Sequence, residues 1–143
     1  MSGCLICRYV DECRTGRSER FVYEFEHSVL TVGEHQFFEG YCVLLLKEHV
    51  RDLHELAQPV RRAFFDETMA ATEAIVKAYQ PWKMNHASYG NAQPHLHWHL
   101  FPRYEDDPDR TANPWTHQDR FALHTTSTEA AAKVRDRLLP YLG

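Results

Sequence analysis

Three histidines at alternate positions are the feature of this sequence that points most directly to chemistry. They occupy positions 95, 97 and 99, and the residues between them are Leu96 and Trp98. In an extended strand, residues i, i+2 and i+4 share one face, so this spacing predicts three imidazoles on one side and apolar side chains on the other. Imidazole suits catalysis near neutral pH because its ordinary pKa is about 6.5. The pattern therefore favours a chemical face over an accidental grouping on an exposed strand.

The same histidines allow two kinds of chemistry. A strand rises about 3.3 Å per residue, so the Cα atoms of the outer pair would lie about 13 Å apart. Because a Zn–N bond is only about 2.0–2.1 Å long, at most two neighbours could share one ion, for example His97 and His99 in a metal-dependent hydrolase. Alternatively, a neutral ring can attack phosphorus while charged neighbours bind phosphate oxygens. The spacing alone leaves both possibilities open.

Composition limits the class of protein. The chain has 143 residues, with 16 basic and 20 acidic side chains and a net charge of −4. This length predicts a single domain over residues 1–143, and the charge argues against binding nucleic acid through an overall positive field. No apolar run approaches the roughly 20 residues of a membrane span, and the N-terminus lacks the apolar stretch of a signal peptide. We therefore expect a cytoplasmic protein without membrane partners.

Local patterns predict the elements that must position the histidines. Aromatic, β-branched and apolar runs predict strands over residues 20–25, 29–32, 41–46, 83–88 and 95–101. The first two should form a hairpin, and the nearly continuous apolar run 41–46 should be a central strand buried on both faces.

Two helices complete this prediction. Helical spacing from Pro59 to Tyr79 predicts a long helix with a core-facing stripe of Val60, Phe64, Phe65, Met69, Ile75, Val76 and Tyr79. Thr126 and Glu129 predict a capping box that opens a C-terminal helix through Leu139. Residues 104–121 are expected to be an exposed connection. Within it, Trp115 could fold over a pocket, but a surface anchor is the preferred interpretation. The order predicts an α+β fold, an antiparallel sheet with a long central helix and a C-terminal helix.

The run Pro94–Arg103 resembles the His-φ-His-φ-His-φ-φ signature of the histidine triad (HIT) superfamily of nucleotide hydrolases and transferases. The resemblance extends over about residues 4–105. It implies that His97 is a nucleophile that attacks the α-phosphorus of a nucleotide and forms a nucleotidyl-histidine, which water then cleaves. It also implies that His99 holds phosphate oxygens or assists the leaving group. A third histidine is similar to the hydrolase branches, so hydrolysis of a nucleoside phosphoramidate or dinucleoside polyphosphate is expected.

The resemblance also implies a metal site. Among the four cysteines, only Cys4 and Cys7 have ligand spacing. Zinc-containing bacterial members bind zinc through such a pair, the histidine that ends the central strand and the first triad histidine. Here those histidines are His49 and His95. Four protein ligands leave no open position, so the expected zinc is structural.

The sequence departs from the family pattern at the substrate side. The loop before the triad, residues 90–94, is short, which makes Asn91 and then Gln93 the candidates for contacting the leaving group. The acidic residue that grips the ribose falls on Gly33, so neighbouring Glu34 is the candidate replacement. The resemblance further implies a homodimer whose sheets join across the two-fold axis. A module that binds a nucleotide without catalysis is the remaining alternative.

Overall fold

Five antiparallel strands form one sheet in the computed structural model, which describes residues 3–143. The strands are β1 (Phe21–Glu24), β2 (Ser28–Val32), β3 (Cys42–Leu46), β4 (Lys83–Ala87) and β5 (His97–Arg103), in the order β1-β2-β3-β5-β4. The helices are α1 (Leu5–Arg14), α2 (Gln58–Tyr79) and α3 (Thr128–Leu138). The predicted α+β class, the first hairpin and the central position of β3 are confirmed.

The two faces of the sheet are covered by different elements. On one face, α2 and α3 pack over a core that includes Leu30, Leu44 and Leu100. On the other face, α1 packs through Ile6 and Val10 against the strands. The register pairs Val43 with His99 and Leu45 with His97, all on the α1 side. Because α1 covers only part of that face, the histidines of β5 border a cavity.

Helix α2 begins one residue before Pro59 and ends at Tyr79, as its periodicity predicts. Its stripe, however, is only partly core. Phe65, Met69 and Val76 are 42%, 44% and 41% exposed, whereas Phe64 and Ile75 are buried and Val60 and Tyr79 are half-buried. The stripe is wider than the surface that the sheet covers, so its outer edge lies in solvent.

The capping prediction for α3 is wrong by one residue. The hydroxyl of Ser127 caps the helix by accepting a hydrogen bond from the Ala130 N–H at 3.1 Å. The Thr126 hydroxyl instead donates to the Gly33 carbonyl at 2.6 Å. A tertiary contact therefore takes the side chain that local spacing assigned to the cap.

Two further features were not predicted. Helix α1 was not predicted, although its buried residues Ile6, Val10 and Cys13 recur at helical spacing. Within the predicted exposed connection, residues Pro114–His124 form short 3-10 turns that fold back onto the sheet. Phe121 stacks on His35 with ring centroids 3.8 Å apart. That contact joins segments far apart in sequence, which local composition cannot reveal. No helix in the described residues is long and apolar enough to cross a membrane.

Candidate active site and metal cluster

The histidines of β5 open into one cavity of about 740 Å³, which we call the histidine cavity. Helix α1 forms one wall, and the loop that follows β4 forms a second. Trp115 closes a third side. His97 and His99 are at its base beside Val43 and Leu45, as the strand register requires. Its size suits a ligand of roughly nucleotide dimensions.

His97 is held in a defined tautomer. Its Nδ1 lies 2.7 Å from the backbone carbonyl oxygen of His95, so Nδ1 carries the proton and donates it. Its Nε2 therefore bears a lone pair. Within residues 3–143, this Nε2 has no hydrogen-bond partner, and the atom is not fully buried. A free lone pair facing the histidine cavity is what a nucleophilic imidazole needs.

His99 lies beside His97, with ring centroids 5.0 Å apart and ring planes 77° apart. Its Nδ1 is 2.7 Å from the hydroxyl of Tyr41. Burial, followed by the neighbouring His97 and His35, lowers the pKa of His99 to about 4. His99 is therefore neutral near pH 7, whereas the sequence suggested a charged neighbour for the phosphate. It can still offer a neutral N–H group.

His95 does not belong to the strand that the alternating pattern predicted. Strand β5 begins at His97, because its regular pairing with β3 ends there. Before that point, the Leu96 carbonyl accepts from the Leu46 N–H, and the Leu96 N–H donates to the Val50 carbonyl. The His95 ring is turned to a different site, and its Nε2 lies 2.7 Å from the carbonyl oxygen of Leu46. Two of the three histidines, not three, form the chemical face of β5.

Cys4, Cys7, His49 and His95 form a compact group, which we call the Cys2His2 cluster; their ligand atoms lie within 4.8 Å of one another. Nδ1 of His95 is 3.4 Å from Sγ of Cys4 and 3.5 Å from Sγ of Cys7. Nδ1 of His49 is 3.4 Å from Sγ of Cys7 and 3.2 Å from Nδ1 of His95. Zn–S bonds of about 2.3 Å and Zn–N bonds of about 2.0–2.1 Å give tetrahedral edges of about 3.5 Å (S to N) and 3.3 Å (N to N). The donor set and these four distances fit zinc.

The orientation of His95 supports the same assignment. Because its Nε2 donates to Leu46, its Nδ1 carries a lone pair directed into the Cys2His2 cluster. This is the usual arrangement of a metal-bound histidine, whose second nitrogen donates to a carbonyl oxygen. The sequence-predicted ligands are therefore brought together from three parts of the fold: the start of α1, the chain after β3 and the approach to β5.

The predicted substrate residues all border the histidine cavity. Asn91 is exposed and Gln93 is half-buried in the loop beside His97, and Glu34 is exposed at the far wall. Gly33 has no room for the side chain that the family pattern places there. A Cβ at this position would lie 2.2 Å from Cδ2 of Tyr41, so the tyrosine ring occupies that space.

Sequence reasoning missed two aromatic residues of the site. Tyr41 begins the apolar run 41–46 and was assigned only to the strand, but its hydroxyl contacts His99. Trp115 is not a plain surface anchor: its ring is half-buried, 5.1 Å from the ring of His99 and 5.5 Å from that of Tyr89. It lies in a polar segment without periodicity, so no local signal indicated this contact.

Comparison with known proteins places these features in a family. The model of the HIT domain matches residues 14–106. The protein hit of Bacillus subtilis (strain 168) is 25% identical over 105 residues, which are 70% of this chain and 72% of that protein. A histidine triad protein from Marinobacter aquaeolei VT8 has 24% identity and a TM-score of 0.76, covering 85% of this chain and 87% of that one.

A zinc-bound histidine triad family protein from Mycobacterium smegmatis has 18% identity and a TM-score of 0.68, covering 96% of this chain and 94% of that one. At these identities the solved structures show a shared fold. The family model covers more than half of the chain, including the triad histidines and their strand. The chain therefore belongs to the HIT domain family.

Proposed function

We propose that this protein is a nucleotide hydrolase that cleaves a nucleoside phosphoramidate or a dinucleoside polyphosphate through a covalent nucleotidyl intermediate on His97. The observation that carries the proposal is the free Nε2 lone pair of His97 at the histidine cavity. In the neutral ring, the bond from Nδ1 to the His95 carbonyl keeps that lone pair on Nε2, the atom that attacks.

The proposed reaction has two balanced steps. First, the Nε2 lone pair of His97 bonds to the α-phosphorus, and the leaving group departs with the electron pair of its former bond to phosphorus and takes up a proton. Second, water attacks the same phosphorus and releases a proton, and the N–P electron pair returns to Nε2. The products are a mononucleotide and the leaving group, and no further reactant is required.

The arrangement of ligands favours this mechanism over a metal-dependent hydrolase. Within residues 3–143, the Cys2His2 cluster is the one group of three or more candidate ligands that converge, and His97 and His99 are not members. A zinc ion in the cluster would have four protein ligands and no open position, so it would supply stability and hold α1 and His95 in place.

A homodimer is part of the proposal. The exposed apolar residues Phe65, Met69 and Val76 lie on one face of α2, since their spacing corresponds to whole helical turns. On the same face, Thr72 bonds to His86 of β4 at 2.9 Å, and β4 is an edge strand with one unpaired side. Edge strands of two copies can pair antiparallel about a two-fold axis, and this would bring their α2 stripes together.

The test compares wild-type protein with His97→Ala and His54→Ala on a panel of adenylylated and guanylylated phosphoramidates and dinucleoside polyphosphates. His54 is an exposed histidine outside the histidine cavity, so its variant controls for loss of an imidazole as such. We expect mononucleotide release to fall by at least about 10³-fold in His97→Ala and to stay unchanged in His54→Ala. Turnover that survives in His97→Ala refutes the nucleophile.

Rapid quenching followed by mass spectrometry identifies the intermediate. We expect a nucleotide attached to the peptide that contains His97 in wild-type protein. Measurable nucleotide affinity with neither turnover nor an adduct would instead support the non-catalytic binding module.

A further inference from the structure

Among residues 3–143, the hydroxyl of Tyr41 is the only group that bonds to the imidazole ring of His99, and this contact assigns the second histidine a role. We propose that Tyr41 is a positioning residue that holds His99 in the neutral tautomer with its proton on Nε2. His99 then presents a hydrogen-bond donor to a phosphate oxygen beside the nucleophile. The catalytic consequence rests on the proposed function, whereas the tautomer is a property of the free protein.

The direction of the hydrogen bond follows from the burial of Tyr41. The residue is 4% exposed, and among residues 3–143 no acceptor other than Nδ1 of His99 lies within hydrogen-bond distance of its hydroxyl. If Nδ1 donated instead, the buried hydroxyl proton would have no acceptor among the described residues, which is unfavourable. The hydroxyl therefore donates, Nδ1 carries the lone pair, and the proton of the neutral ring is on Nε2.

Packing prevents the Tyr41 ring from leaving this position. One side lies against Gly33, where even a Cβ would be 2.2 Å from Cδ2 of the ring. The ring also stacks on Phe101 with centroids 4.2 Å apart and planes 10° apart. His99 stacks on the same Phe101 at 5.7 Å. The two partners of the hydrogen bond are thus held against a common neighbour.

The result is a pair of histidines with opposite tautomers. His97 donates from Nδ1 to a carbonyl oxygen and keeps a lone pair on Nε2. His99 accepts at Nδ1 from Tyr41 and keeps a proton on Nε2. Neither Nε2 has a partner in the part of the chain that the structure describes. One ring can therefore attack phosphorus while the other stabilises the negative charge on its oxygens, and the roles are not interchangeable.

The first experiment reads the tautomer directly, without substrate. Histidine side-chain ¹⁵N NMR of the full chain, with His99→Gln used to assign the resonances, compares wild-type protein with Tyr41→Phe and Tyr104→Phe. Tyr104 is a matched control because its hydroxyl also makes one short bond, 2.6 Å to the Glu39 carbonyl. We expect Nε2 of His99 to be protonated and Nδ1 unprotonated in wild-type protein and in Tyr104→Phe, and a mixture of tautomers in Tyr41→Phe. A protonated Nδ1 in the wild-type protein overturns the proposal.

The second experiment measures the consequence for turnover. A hydrogen bond to a charged group contributes about 1.5–3 kcal/mol, so we expect kcat to fall about tenfold or more in Tyr41→Phe, with KM changed by less than about twofold. Gly33→Ala should displace the Tyr41 ring and cause the same tautomer change. An unaltered tautomer and rate in Tyr41→Phe refute the positioning role. If His97→Ala remains active, the proposed function fails while the NMR result still decides the tautomer.

Discussion

Replacing Cys4 by Ser separates two roles of that side chain. Cys4 is the N-cap of α1, where its Sγ accepts a hydrogen bond from the Cys7 N–H at 3.4 Å, and it is also a member of the Cys2His2 cluster. Serine is a preferred N-cap residue, so Cys4→Ser keeps the cap but removes a thiolate ligand. We expect the variant to fold and to lose most of its stabilisation by zinc.

The expected size of this loss follows from ligand binding to the folded state. A ligand at 1,000 times its dissociation constant stabilises the folded state by about 4.1 kcal/mol. Structural zinc sites bind tightly enough to reach such saturation at micromolar zinc. In a domain of this size, 1 kcal/mol changes Tm by about 3 °C, so zinc should raise the Tm of wild-type protein by about 12 °C. The ion would tie α1 to His95, 91 positions along the chain from Cys4.

The assay is thermal unfolding by circular dichroism, measured on metal-free protein and again after zinc is added back. Cys13→Ser is the control, because Cys13 is a thiol of the same helix outside the cluster. We expect the zinc-dependent rise in Tm in wild-type protein and in Cys13→Ser, and little of it in Cys4→Ser. An equal rise in all three proteins, or none in the wild-type protein, would refute the assignment of the ligands.

Two further predictions concern acid stability and assembly. Burial lowers the pKa of both His35 and His99 to about 4, so between pH 6.5 and 4 the unfolded chain binds protons that the folded chain does not. The free energy of unfolding should therefore fall by up to about 3 kcal/mol per histidine as pH falls through that range. Measured by urea unfolding, His35→Gln should show a smaller fall than wild-type protein. Equal stability of the wild-type protein at pH 7 and pH 5 would contradict this prediction. Met69→Lys places a charge in the exposed α2 stripe and should convert the dimer into a monomer. Lys77→Ala, in the same helix, should leave the dimer intact. Analytical ultracentrifugation measures both, and a monomeric wild-type protein would refute the dimer.

Local patterns in the sequence predicted most of the scaffold. The strands, the central position of the buried β3 and the extent of α2 were predicted from hydrophobic patterns, which depend only on neighbouring residues. The fold of residues Pro114–His124 escaped prediction, because its stability comes from contacts with distant parts of the chain. The same reason explains the α3 cap, where Thr126 bonds to Gly33 instead of the helix.

The sequence by itself determined which side chains could react. Successive side chains of a β-strand point to opposite faces, which is a property of the backbone. His97 and His99 therefore share one face of β5 regardless of the elements that pack against the strand. Only the tertiary structure decided their protonation. The His95 carbonyl sets the tautomer of His97, and the buried hydroxyl of Tyr41, the residue before β3, bonds to His99. Burial and hydrogen bonding determine which nitrogen holds a proton, and both arise only when separate segments come together.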